Sequence, residues 1–133
     1  MKVSATGDAT SDATGAARVR GLRGAICIAQ DSPEVVRAAT REMLSELLAR
    51  NGIGAEAVIS AIFTVTPDIT SEFPARAARE LGWHEVPMLC STEIAVPGSV
   101  GRVVRVLLHV ELPVNAAARH VYLNGAEELR PDL

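Results

Sequence analysis

Aromatic residues are scarce in this chain: one Trp, one Tyr and two Phe among 133 residues, although 48% of the sequence is hydrophobic. Small aliphatic side chains must therefore fill the core, which suits tight helix-on-sheet packing or contacts between subunits. Lysine is rarer still, with Lys2 alone against twelve Arg, and the formal net charge is −3. No basic surface able to neutralise many phosphates is evident, which argues against a general nucleic-acid binder. Biased base composition accounts for much of the arginine excess, yet it also supplies rigid forks that match carboxylates. Cys27 and Cys90 are far apart and form no CxxC pair, so a reduced, cytoplasmic setting without a structural disulfide is expected. Apolar runs fall well short of the ~18 residues that span a bilayer, and no membrane association is expected. The opening MKVSATGDATSDATGAAR has no apolar block, so residues 1–18 read as a disordered tail rather than a signal peptide. His84, His109 and His120 lack zinc-type spacing, and neither an HExxH motif nor a GxSxG elbow occurs, so no metal site and no serine hydrolase is expected.

What is present reads as one domain over residues 19–133, long enough to bury roughly two-thirds of its unfolded surface. A strand over about 19–29 precedes Asp31-Ser32-Pro33-Glu34, which combines a capping residue with a proline suited to the first helical turn. Val36, Ala39, Met43 and Leu47 mark one face of a helix that Asn51-Gly52 stops, with Arg37, Arg41 and Glu46 turned away from it. A β-rich run over 57–65 ends at Thr66-Pro67-Asp68, and Pro74 opens a short helix, 75–81, that Gly82 closes. Further strands are expected over 85–92 and 102–111, divided by a Pro97-Gly98 turn, then a short helical turn at 115–118 and an extended segment at 120–123. Strands and helices mixed in this order predict an α+β fold, a mixed sheet with its helices packed on one face.

Arg105, inside Val103-Val104-Arg105-Val106-Leu107-Leu108, is the residue that departs most from its surroundings. A guanidinium in a low-dielectric interior needs an acid, and strand alternation puts it on one face with Val103, Leu107, His109 and Glu111. It serves either a structural pair, with Glu111, His109 or another strand's acid, or an anionic ligand. Arg23 shares a face with Gly21 and Ala25, whose small size leaves room for a ligand; a surface arginine on an edge strand is the plainer reading. Glu93 is a general base, a hydroxyl acceptor or a strand-end surface acid. Cys90 has no local base that would make it a nucleophile, so a buried, inert thiol is expected. Tyr122 fits core packing with its hydroxyl at the rim. From the residues alone, the reading ends at a small arginine-lined pocket.

Five segments extend that reading: Arg20-Gly21-Leu22-Arg23-Gly24-Ala25, Phe63 to Asp68, Phe73 to Arg79, Arg119 to Leu123, and Leu129-Arg130-Pro131-Asp132-Leu133. In order and spacing they closely resemble the AroH class of chorismate mutases, from about residue 19 onward. The resemblance implies a cofactor-free homotrimer of pseudo α/β barrel form, with active sites in clefts between subunits, that rearranges chorismate to prephenate. It implies that Arg105 donates to the ether oxygen, that Arg23 and Tyr122 hold a carboxylate, and that Glu93 accepts the ring hydroxyl with backbone help near Cys90. Phe73 corresponds to an apolar wall supplied by a neighbouring subunit, Arg76 and Arg79 to the entrance, and Leu129 and Arg130 to a closing tail. Leu89 departs from the family at a position where a hydroxyl residue occurs beside the cysteine. A related trimeric deaminase or isomerase of small carboxylates, and a trimer that binds an acidic metabolite without turnover, are the alternatives.

Overall fold

The structure, a computed structural model, describes residues 16–129. Strand β1 (Ala17–Cys27) leads into helix α1 (Pro33–Asn51), and a single 3-10 turn (Ala55–Ala57) precedes β2 (Val58–Val65). Helix α2 (Ala75–Glu80), β3 (Met88–Thr92), β4 (Val103–Pro113), β5 (Val121–Leu123) and a terminal 3-10 turn (Ala126–Leu129) follow.

Local chemistry sets the ends of α1. Ser32 is extended at the N-cap and its hydroxyl accepts from the Val35 N–H at 3.3 Å, with Pro33 in the first turn. Gly52, at φ 65°, takes the left-handed turn, and the Ile53 N–H donates to the Leu48 carbonyl at 3.1 Å. Val36, Thr40, Met43, Leu44 and Leu47 form the buried face. Thr40 is tolerated there because its hydroxyl donates to the Val36 carbonyl at 2.7 Å.

The five strands lie in the order β3-β2-β4-β1-β5, with β4 antiparallel to both β1 and β2, and with the two outer pairs parallel. Both helices pack on one face, as the α+β reading expects: α1 crosses β1, β4 and β5, and α2 lies against α1 and β3. Leu22 and Ile26 of β1, Phe63 of β2 and Val104, Val106, Leu108, Val110 and Leu112 of β4 bury themselves beneath α1 and α2. Each large aliphatic side chain buried there contributes about 1.5–3 kcal/mol. Gly24 marks the closest approach of helix to sheet, since a Cβ at that position would stand 2.7 Å from Leu47 Cδ1 and 3.1 Å from Met43 Cγ.

Several boundaries differ from expectation. Strand β1 begins at Ala17 and pairs Ala17 with Pro113 and Arg18 with Leu112, so the end of the expected tail belongs to the sheet; residues 1–15 lie outside the described residues. Strand β3 starts at Met88 rather than 85, because residues 84–86 turn and the ladder opens only where the Pro87 carbonyl accepts from Ala61 N–H at 3.0 Å. The expected helical turn at 115–118 is absent: one bond, Ala116 N–H to the Pro113 carbonyl at 2.9 Å, reverses the chain and no further turn follows. The 3-10 turn at Ala126–Leu129 has no counterpart among the expected elements, being too short to leave a periodic pattern.

Candidate active site

The sheet face away from the helices carries the polar residues. Cross-strand register sets Ser91, Thr64, Arg105, Ala25 and Tyr122 in one line, with one residue from each of β3, β2, β4, β1 and β5. A second line beside it holds Leu89, Ile62, Leu107 and Arg23. Neighbouring strands stand about 4.8 Å apart, so Arg105 and Tyr122 flank Ala25 across about 10 Å. The small Ala25 side chain leaves the floor between them open, and a cleft of about 290 Å³ results, lined by Arg23, Ala25, Ile62, Thr64, Arg105, Leu107 and Tyr122 among others. The structure thus brings Arg23, Arg105 and Tyr122 together.

Arg105 is not in the interior, which corrects the expectation drawn from its apolar strand. Its neighbours Val104 and Val106 point to the core, whereas its own side chain is 42% exposed on the open face. Of the expected partners it meets another strand's acid, Glu93 just past the end of β3, and not Glu111 or His109 of its own strand; His109 instead pairs with Ser60 at 3.1 Å. Arg105 Nε lies 2.9 Å from Glu93 Oε2, yet this buried nitrogen makes no hydrogen bond among the described residues because its N–H is not aimed at the carboxylate. Glu93 Oε2 instead accepts from the Thr64 hydroxyl at 2.7 Å, and the Glu93 N–H donates to the Val65 carbonyl at 2.9 Å. The carboxylate is therefore held in place while a guanidinium donor beside it stays unused.

Thr64 escapes reasoning from the sequence. Alternation along β2 puts it on the open face, but only the pairing of β2 with β3 brings it to Glu93. Arg23 sits on an interior strand, between β4 and β5, and not on an edge; its backbone N–H donates to His120 Nδ1 at 3.0 Å and ties β1 to the approach to β5. Leu129 and Tyr122 pack around Ala25, Val103 and Ala126 beneath the cleft, together with Cys27. Burial raises the Cys27 thiol above its ordinary range, with Glu127 and Glu128 adding to the effect and Arg105 opposing it.

Phe73 and Cys90 lie elsewhere, in a second depression of about 250 Å³ formed by the loop 69–74 and by Cys90, Ser91 and Thr92 of β3. Cys90 is exposed, which overturns the expectation of a buried thiol: β3 is an edge strand with a neighbour on one side only. Phe73 leaves 66% of its surface open. Arg76 and Arg79 are exposed on α2, Arg76 at 3.9 Å from Glu72. Arg130 lies outside the described residues.

Against this geometry, comparison with known proteins is specific. The family model for chorismate mutase type I matches residues 19–133. A chorismate mutase AroH of Thermus thermophilus is 52% identical over 118 residues, covering 86% of this chain and 96% of the relative. The AroH enzyme of Bacillus subtilis is 38% identical over 117 residues, covering 86% and 92%. A solved chorismate mutase from Clostridium thermocellum superposes with a TM-score of 0.77 at 38% identity, covering 82% of this chain and 98% of the other. With a mixed sheet, helices on one face and an arginine-lined cleft on the other, the chain belongs to the AroH class of the type I chorismate mutase family.

Proposed function

We propose that this protein converts chorismate to prephenate in aromatic amino-acid synthesis, inside the cytoplasm, as a homotrimer with composite sites. The convergence of Arg23, Arg105 and Tyr122 in one cleft carries this reading. The reaction is pericyclic: an ether C–O bond breaks as a C–C bond forms in the same molecule, so no nucleophile is needed. Catalysis then consists of holding the dianion in its compact form and stabilising the charge that grows on the ether oxygen. Arg105 supplies that stabilisation, its buried, unused Nε–H being a donor already desolvated and fixed. Arg23 and Tyr122 hold a substrate carboxylate. Glu93, fastened by Thr64, accepts from the ring hydroxyl.

Phe73 and Cys90 complete the site from a neighbouring copy, with Arg76 and Arg79 at its entrance and Leu129 closing it. Two separate depressions on one chain, together with exposed Leu89 (68%) and Ile94 (86%), support a shared interface of this kind. The test is to incubate the purified protein with chorismate and follow the loss of its ultraviolet absorbance. Conversion to prephenate is expected, from a particle three times the 14.0 kDa mass of one chain. Tight binding of chorismate without conversion would overturn the proposal.

A further inference from the structure

We infer that Asp31 is a positioning residue, clamping the loop that carries Phe73 so that its ring stays at the rim of the second depression. The inference rests on the reading of Phe73 as a wall of the substrate site. Asp31 directly precedes the N-cap of α1, and both its oxygens are used. Oδ2 accepts from the Thr70 N–H at 2.9 Å and from the Thr70 hydroxyl at 3.2 Å. Oδ1 accepts from the Ser71 N–H at 3.2 Å and from the Ser71 hydroxyl at 2.5 Å. The next residue is held too: Glu72, with its side chain only 7% exposed, accepts from Arg37 Nη1 at 2.6 Å and from the Phe73 N–H at 2.9 Å.

Three consecutive loop residues are thus tied, Thr70 and Ser71 to the Asp31 carboxylate and Glu72 through its own carboxylate to the α1 residue Arg37. Phe73 follows with most of its ring uncovered, so packing within the chain does little to fix it and its place depends on the backbone before it. Four donors converge on Asp31, and an ionised carboxylate can accept all four. Asparagine keeps one acceptor oxygen and turns an NH₂ group toward the other pair of donors. Alanine keeps none, and the loop regains the conformational freedom the clamp removes.

The experiment compares full-length wild type, Asp31→Asn and Asp31→Ala by steady-state turnover of chorismate and by amide hydrogen exchange of residues 69–74. In Asp31→Ala, exchange at Thr70 and Ser71 is expected to speed up at least about tenfold. KM is expected to rise about tenfold while kcat changes by less than about threefold, since Arg105 and Glu93 stand on other elements. Asp31→Asn should fall between the two. In a Phe73→Ala background the Asp31→Ala change should add little further to KM, because both act through one group. Unchanged exchange, an unchanged KM, or an equal rise in KM without the Phe73 ring would each overturn the inference. Should Asp31→Ala fail to fold, Thr70→Val with Ser71→Ala removes the two hydroxyl donors from the loop side while leaving both N–H bonds, so exchange and KM should move in the same direction as in Asp31→Ala but by less, and no movement in either would overturn the inference. Absence of chorismate turnover by the wild type would instead count against the proposed function.

Discussion

The two depressions differ in what holds their residues. Arg23, Arg105 and Thr64 stand on β1, β4 and β2, each with a hydrogen-bonded strand on both sides. Phe73 stands on a loop, where side-chain carboxylates take over the work that ladder bonds perform in the cleft, and Cys90 on the edge strand β3, which has a ladder on one side only. On the proposed roles, the arginines whose direction decides the rate are set on strands paired on both sides. The proposed apolar wall instead depends on side-chain clamps outside the ladder.

The sharpest way to break this contrast is Arg105→Ala. Removing one preorganised donor costs about 2.7–4 kcal/mol, so kcat should fall about a hundred- to a thousandfold, with the melting temperature little changed. Near-normal turnover would show that the rigid half does not carry the chemistry. Arg23→Ala should come next, lowering kcat/KM by about ten- to a hundredfold through the loss of charge-assisted hydrogen bonds, measured by steady-state kinetics across chorismate concentration. Gly24→Ala probes the stiffness itself. Its Cβ meets Leu47, Met43 and Val106 at 2.7–3.2 Å, and overpacking of this kind costs about 1–3 kcal/mol, read as a lowered denaturation midpoint.

The smallest effect concerns acid. The Asp68 carboxyl is held below its ordinary range, first by the Thr66 hydroxyl at 2.6 Å and then, against some desolvation, by the Arg102 N–H. A carboxyl lowered in the folded state stabilises fully above its unfolded value, near pH ~3.9, and that contribution is lost as pH falls through the lowered value. Thermal melts from pH 7 to pH 3 should therefore show a steeper acid decline for wild type than for Asp68→Asn. Equal slopes would mean that the join between the end of β2 and the start of β4 is not maintained by this carboxylate.

Much of the fold was legible because its signals are local. Ser32-Pro33 and Asn51-Gly52 bracket α1, and Pro97-Gly98 turns the chain with Gly98 at φ 85°. Arg105 stood out for a sound reason, a charge among valines, but alternation alone left two faces to choose between. The residue sits on the uncovered one. Its pairing with Glu93 and Thr64 depends on which strands become neighbours, a non-local outcome that no single segment encodes. Cys90 misleads for the same cause, since an apolar strand looks alike in the middle of a sheet and at its edge. Phe73 owes its place among the candidates to family resemblance, for nothing in its own segment distinguishes a substrate wall from a surface aromatic.

If the line of residues drawn straight across all five strands carries the activity as proposed, correct folding and activity are coupled in an all-or-none way. Slipping β4 by a single position would present Val104 or Val106 where Arg105 belongs and would turn the guanidinium into the oily layer beneath α1. Misthreaded copies are therefore expected to be inert, not sluggish, so that a titration of active centres would count faithfully threaded molecules.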